Sequence, residues 1–100
     1  MKFLVDVAAP ADKGREIDDA GGPGPVVAEL MKRFKPEIMY GSADRRTLTF
    51  VADLASEHEI AVLMEICSAQ LYAYPQLRPV ISIDQLPGFV DAVHAEAGGH

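Results

Sequence analysis

Asp6 is the residue in this 100-residue chain whose type and setting most invite a chemical role. It interrupts an apolar run, "KFLVDVA". Period-two alternation there places Phe3, Val5 and Val7 on one face and Lys2, Leu4 and Asp6 on the other. A carboxylate on a covered strand face must be paired or hydrated. It then acts as an acid/base or substrate-orienting group, or it forms a salt bridge with Lys2, Arg78 or an arginine of a second copy. The ion pair is the commoner arrangement. His94 is the second candidate, because an imidazole titrates near neutrality and can move protons there. It adjoins the apolar Val90/Val93 stripe of a terminal helix, where a plain boundary residue is the commoner finding. Asp6 and His94 form the candidate catalytic pair.

Tyr40, Tyr72 and Tyr74 combine a broad apolar ring with a polar tip, which suits the wall of a pocket for a flat or aromatic ligand. They would equally seal a core edge or a subunit interface. With Arg78, the only Lys or Arg in residues 47–100, they form the candidate ligand-binding set. His58 lies between Glu57 and Glu59 and reads as exposed; His100 reads as a frayed end. The histidines and Cys67 have no metal-ligand spacing, so no metal is expected. The chain has no G-x-G-x-x-G, P-loop, G-x-S-x-G or C-x-x-C motif, so no cofactor is expected. Cys67 lies on an apolar helical stripe and should be buried and inert.

Net charge is −6. That argues against a dedicated nucleic-acid binder, whose affinity rests on neutralising phosphates. The charge is uneven. Residues 32–46 carry Lys32, Arg33, Lys35, Arg45 and Arg46 against Glu37 and Asp44. This is either a solvated helix end and hairpin tip or a small anion-facing patch. The single cysteine excludes an intrachain disulfide and fits a reducing compartment. "MKFLVDVAAP" does not read as a signal peptide, and no apolar run approaches the ~20 residues that span a bilayer. The expectation is a soluble, cytoplasmic protein without a membrane partner.

The elements that must position these residues follow from periodicity. After the first strand, "PVVAELMKRFK" has Val27, Leu30, Met31 and Phe34 at helical spacing, with Pro25 in the first turn and Pro36 as the stop. "PEIMYGSADRRTLTFVADL" reads as a hairpin with "GSADRR" as its turn, and Leu48 and Phe50 belong on the core face. "SEHEIAVLMEICSAQLYAY" opens with a Ser56/Glu59 capping box and continues with an Ile60, Leu63, Met64, Cys67, Leu71 stripe. "PVISI" is the expected fourth strand. "DQLPGFVDAVHAEA" is a terminal helix with Leu86, Phe89, Val90 and Val93 as its stripe.

This order, βαββαβ plus a short C-terminal helix, predicts one α+β domain over residues 1–100. Its four-stranded antiparallel sheet carries both main helices on one face, in the ferredoxin-like arrangement. The other sheet face would hold Leu4, Val51 and Val80 or Ile81 uncovered, which predicts a homodimer. Residues 8–25, "AAPADKGREIDDAGGPGP", are expected as a flexible loop. Connections longer than about 12–15 residues are usually lids, binding loops or disordered. Either a lid over a pocket or a plain insertion fits.

Four stretches, "MKFLVDV", "TFVADLASEHEIAVLME", "LYAYPQLRPVISI" and the helix after them, resemble the dimeric α+β barrel superfamily. The likeness is nearest to muconolactone-isomerase-like proteins and related uncharacterised bacterial proteins. The resemblance implies the fold and the dimer and assigns no catalytic residue. Two functions are then expected to compete. The first is a small-molecule-binding dimeric barrel working as a cofactor-independent isomerase or related proton-transfer enzyme on a small organic substrate. The second is a non-catalytic dimeric interaction module. A third, weaker reading is anion sensing by Arg45 and Arg46.

Overall fold

The computed structural model describes residues 1–98; His100 lies outside them. Strand β1 (Lys2–Ala8) runs into a 3-10 turn (Ala11–Lys13), helix α1 (Gly14–Asp19) and helix α2 (Gly24–Phe34). A hairpin of β2 (Ile38–Gly41) and β3 (Thr47–Asp53) follows, then α3 (Glu57–Leu71), β4 (Gln76–Pro79) and α4 (Leu86–Glu96).

The strands form one sheet in the order β2-β3-β1-β4, with every neighbouring pair antiparallel. Each crossover therefore skips one strand: β1 reaches β2 across β3, and β3 reaches β4 across β1. The α+β layout is compatible with a ferredoxin-like fold.

Alternation decides which face is dry. Phe3, Val5 and Val7 of β1 and Phe50 and Ala52 of β3 are buried. Register sets Val5 beside Phe50 and Leu77, and Phe50 beside Met39. Val26 and Leu30 of α2 and Leu63, Ile66, Cys67 and Leu71 of α3 complete the same cluster. Between the two helices the Gln70 amide donates to the Glu29 carboxylate at 2.6 Å.

Helix α3 begins with Ser56 in extended conformation, its Oγ accepting the Glu59 N–H at 3.3 Å. The Glu59 carboxylate reaches back to the N–H of Ala55, at 2.6 Å, rather than to Ser56. The cap is thus one residue wider than a reciprocal box, with both end donors satisfied.

Three expectations change. Residues 8–25 are largely helical rather than a loop. The 3-10 turn and α1 occupy them, Ile17 is anchored in the core, and α2 already starts at Gly24. Burying one isoleucine side chain contributes about 1.5–3 kcal/mol, which helps offset the ordering of this stretch.

The buried stripe of α2 is Val26 and Leu30, with Phe34 beside it, while Met31 stays 53% exposed. The short α1 supplies Ile17 to the core, so α2 is rolled by about one residue relative to its sequence pattern.

Strand β4 is "QLRP", not "PVISI". Register sets Phe3 against Pro79, and the Val80 N–H donates to the Lys2 carbonyl at 3.0 Å. Residues beyond Val80 run past the first residue of β1 and find no neighbour to pair with. Their β-branched character cannot make a strand alone.

The chain spans 55 × 28 × 21 Å, with a radius of gyration of 16.2 Å against about 13 Å for a compact domain of this length. The excess belongs to α4, which has no buried residue. Its stripe forms as expected, yet Phe89 is 50% exposed, and Leu86, Val90 and Val93 also face solvent.

Candidate functional site

A cleft of about 540 Å³ opens at the end of the sheet where β1 leaves and the β2–β3 hairpin turns. This lies within the usual range for pockets that hold small organic molecules. One wall comes from the segment after β1, through Ala9, Pro10 and Ile17; a second comes from Val27 and Met31 of α2. Met39 and Leu48 of the hairpin form the third, and Leu71 of α3 also lines the space. The residues that α2 turns away from the core are therefore the ones that line the cleft.

The hairpin turn supplies the polar rim, Ser42, Asp44, Arg45 and Arg46. Its shape rests on local hydrogen bonds. The Ser42 hydroxyl donates to the Asp44 carboxylate. The Arg46 N–H donates to the same carboxylate at 3.1 Å, and the Thr47 N–H donates to Ser42 Oγ at 3.0 Å. The Ser42 hydroxyl and the Arg46 N–H hold the Asp44 carboxyl below its ordinary range. Arg45 sits at φ +63°, a left-handed conformation uncommon outside glycine. The turn is tied to the segment after β1, because the Ala9 N–H donates to the Arg46 carbonyl at 2.8 Å and extends the β1–β3 ladder by one residue. Asp18 of α1 is the remaining charged group on the wall.

The sequence candidates lie elsewhere. Asp6, Tyr40 and Arg78 share the sheet face opposite the helices. Register builds one row across it, Tyr40–Thr49–Asp6–Gln76, and a second, Ile38–Val51–Leu4–Arg78. Asp6 points away from the helices as expected. Its partner is not a cation, however: it accepts the Thr49 hydroxyl at 2.6 Å. Lys2 pairs instead with Glu37 at 2.7 Å, a contact that raises the lysine pKa. The Thr49 hydroxyl is the nearer donor because it stands directly across the ladder.

Tyr40 is 63% exposed on that face. Tyr74 is 71% exposed after α3. Tyr72 ends α3 in a left-handed conformation, with the Lys13 ammonium 5.3 Å from its ring centre. It borders a smaller hollow of about 110 Å³ beside Ile17 and Gln70. His94 lies exposed on α4, and His58 is exposed in the first turn of α3. None of the six candidate residues lines the large cleft.

Among the described residues no cluster of three or more His, Cys, Asp or Glu side chains could hold a metal ion. Among them, too, no helix is long and apolar enough to cross a membrane.

No protein-family model matches this chain, and no curated protein matches it in sequence.

The cleft contains residues that sequence reasoning passed over, Met31, Met39 and Leu48 above all. Arg45 and Arg46 were visible as part of a basic patch. Nothing in the sequence marked Met39 and Leu48 as neighbours of an opening rather than as ordinary core.

Cys67 is fully buried, and burial pushes its thiol up to about 11. The thiolate is the reactive form. A thiol reagent such as DTNB should leave Cys67 unmodified at pH 8 over an hour and titrate one thiol per chain in denaturant. Rapid labelling of the native chain would contradict this placement.

Proposed function

We propose that this chain is a homodimeric small-molecule-binding protein that holds a small organic ligand in the cleft between the end of the sheet, α1 and α2. The observation that carries the reading is the cleft itself: about 540 Å³, with mostly apolar walls, a charged rim at the hairpin turn and Asp18 as the one charged group on the α1 side. Few polar groups against an apolar wall is the usual composition of a ligand pocket.

Binding is favoured over proton-transfer catalysis. The charged groups on the wall are Asp18, Asp44, Arg45 and Arg46. An arginine does not give up its proton, and Asp44 is held in its anionic form by two donors. A base matched to neutral pH needs the opposite shift. An isomerase reading leans on Asp6, which would act only inside the space enclosed by two facing sheets.

The dimer is supported by the uncovered apolar row Ile38–Val51–Leu4 and by the bare stripe of α4. The same stripe favours the second reading, a non-catalytic module that takes up a protein partner.

A thermal-shift screen of small metabolites separates the readings. A ligand that binds only the folded chain, present at a hundred times its Kd, adds about 2.7 kcal/mol of stability. That is on the order of 10 °C in Tm for a domain of this size. Met31→Trp, which fills the open side of the cleft, should abolish the shift while leaving the far-UV spectrum unchanged. A shift that survives this substitution, or no shift with any compound, would overturn the cleft as the binding site.

A further inference from the structure

The hairpin rim says more about the ligand than the cleft volume does. Arg45 and Arg46 are adjacent, exposed and on the cleft wall. Among the described residues, neither guanidinium has a carboxylate within ion-pair distance; the ion pairs found are Lys2 with Glu37 and the terminal ammonium with Asp53. The nearest acid in sequence, Asp44, is already occupied. Its carboxylate accepts the Ser42 hydroxyl and the Arg46 backbone N–H, and the Arg46 charge acts on it only as a lesser influence from beyond ion-pair distance.

The backbone gives an independent argument. Position 45 sits at φ +63°, a conformation that glycine adopts more readily than any residue with a side chain. The chain places an arginine there and not one of its eight glycines. A side chain kept at a strained position points to a use for that side chain.

The cleft wall carries two acids, Asp18 and Asp44, beside the two arginines. Asp18 disfavours an anionic group near α1, whereas Asp44 already accepts the Ser42 hydroxyl and the Arg46 N–H. The two guanidinium groups are therefore the donors left open to an anion at the hairpin rim.

We infer that the ligand is an organic carboxylate. Its carboxylate is held by Arg45 and Arg46 at the hairpin rim, and its apolar chain or ring lies against Val27, Met31, Met39 and Leu48. The planar guanidinium fork matches a carboxylate with two parallel hydrogen bonds, which gives orientation as well as affinity. This assignment rests on the cleft being the binding site and adds the chemical class of what it binds.

The test uses calorimetric titration of the full chain with a matched pair, 4-phenylbutyrate and its neutral analogue 4-phenylbutyramide. The wild type should bind the carboxylate about ten- to a hundredfold more tightly than the amide, the range expected for charge-assisted bonds. The double variant Arg45→Gln/Arg46→Gln should lose that preference and keep its affinity for the amide, which also shows that its cleft is intact. Raising NaCl from 50 to 500 mM should weaken the carboxylate and leave the amide unchanged.

Equal binding of the two probes by the wild type, or a preference that survives in the double variant, overturns the carboxylate assignment while leaving the cleft in place. Failure of both probes to bind at millimolar concentration overturns the cleft along with it.

Discussion

Phe50→Ala should remove about 3–5 kcal/mol of folding stability, the usual cost of truncating a fully buried phenylalanine. Phe50 has no exposed surface and stands between Met39 and Val5 in the middle of the sheet. It belongs to the same buried cluster as Leu30 and Leu63. Helix and strand atoms therefore surround it on every side, and the void it leaves can close only in part. A domain of this size has about 5–15 kcal/mol in total. The variant should therefore sit near its unfolding threshold, with a Tm lower by on the order of 15–30 °C. Tyr40→Ala is the control. It removes a larger side chain from the neighbouring strand, but one on the open face, and in the single chain should change stability by about 0.5 kcal/mol or less. Urea denaturation followed by circular dichroism reads both. If the two substitutions cost the same, the dry side of the sheet has been assigned to the wrong face.

Val51→Lys should have the second large effect, on assembly and not on folding. Val51 lies in the middle of the open face, between Ile38 and Leu4. It is half-exposed in the single chain, so a lysine there can extend into water and the fold should persist. In a face-to-face pair the same ammonium would lose its water, with Asp6 in the adjoining row as its nearest acid. Desolvating a charge costs several kcal/mol even beside a partner, and each 1.4 kcal/mol is tenfold in affinity. The dimer proposal therefore expects a Kd raised at least about 100-fold. Sedimentation equilibrium at micromolar concentration should show twice the 10.8 kDa chain mass for the wild type and a single chain for the variant. A wild-type protein that sediments as one chain would remove the dimer and, with it, any enclosed role for Asp6.

The sequence made the core legible because two signals coincided there. Period-two alternation in β1 and β3 put Phe3, Val5, Val7, Phe50 and Ala52 on one side, and the α3 stripe supplied Leu63, Cys67 and Leu71 to meet them. The capped start of α3 was readable for a similar reason, since Ser56 and Glu59 act within one turn. What was missed depends on distant contacts. The extent of β4 is set by where β1 begins, which "PVISI" does not encode. The helical content of residues 8–25 turns on one isoleucine reaching the core from a polar, glycine-rich stretch. The cleft was hidden because its apolar wall is drawn from the segment after β1, α2, β2, β3 and α3, each contributing one to three residues that read locally as core. Alternation placed Asp6 on the side of the sheet away from the helices, but alternation says nothing about which side is hollow.

The two outermost strands, β2 and β4, are four residues each, and β4 ends in proline. Such borders offer few free backbone donors, and proline offers none. Sideways growth, in which one copy's sheet continues into the next, therefore has little to grip. The edges of the sheet are thus poor templates for a fibre, whatever its faces do.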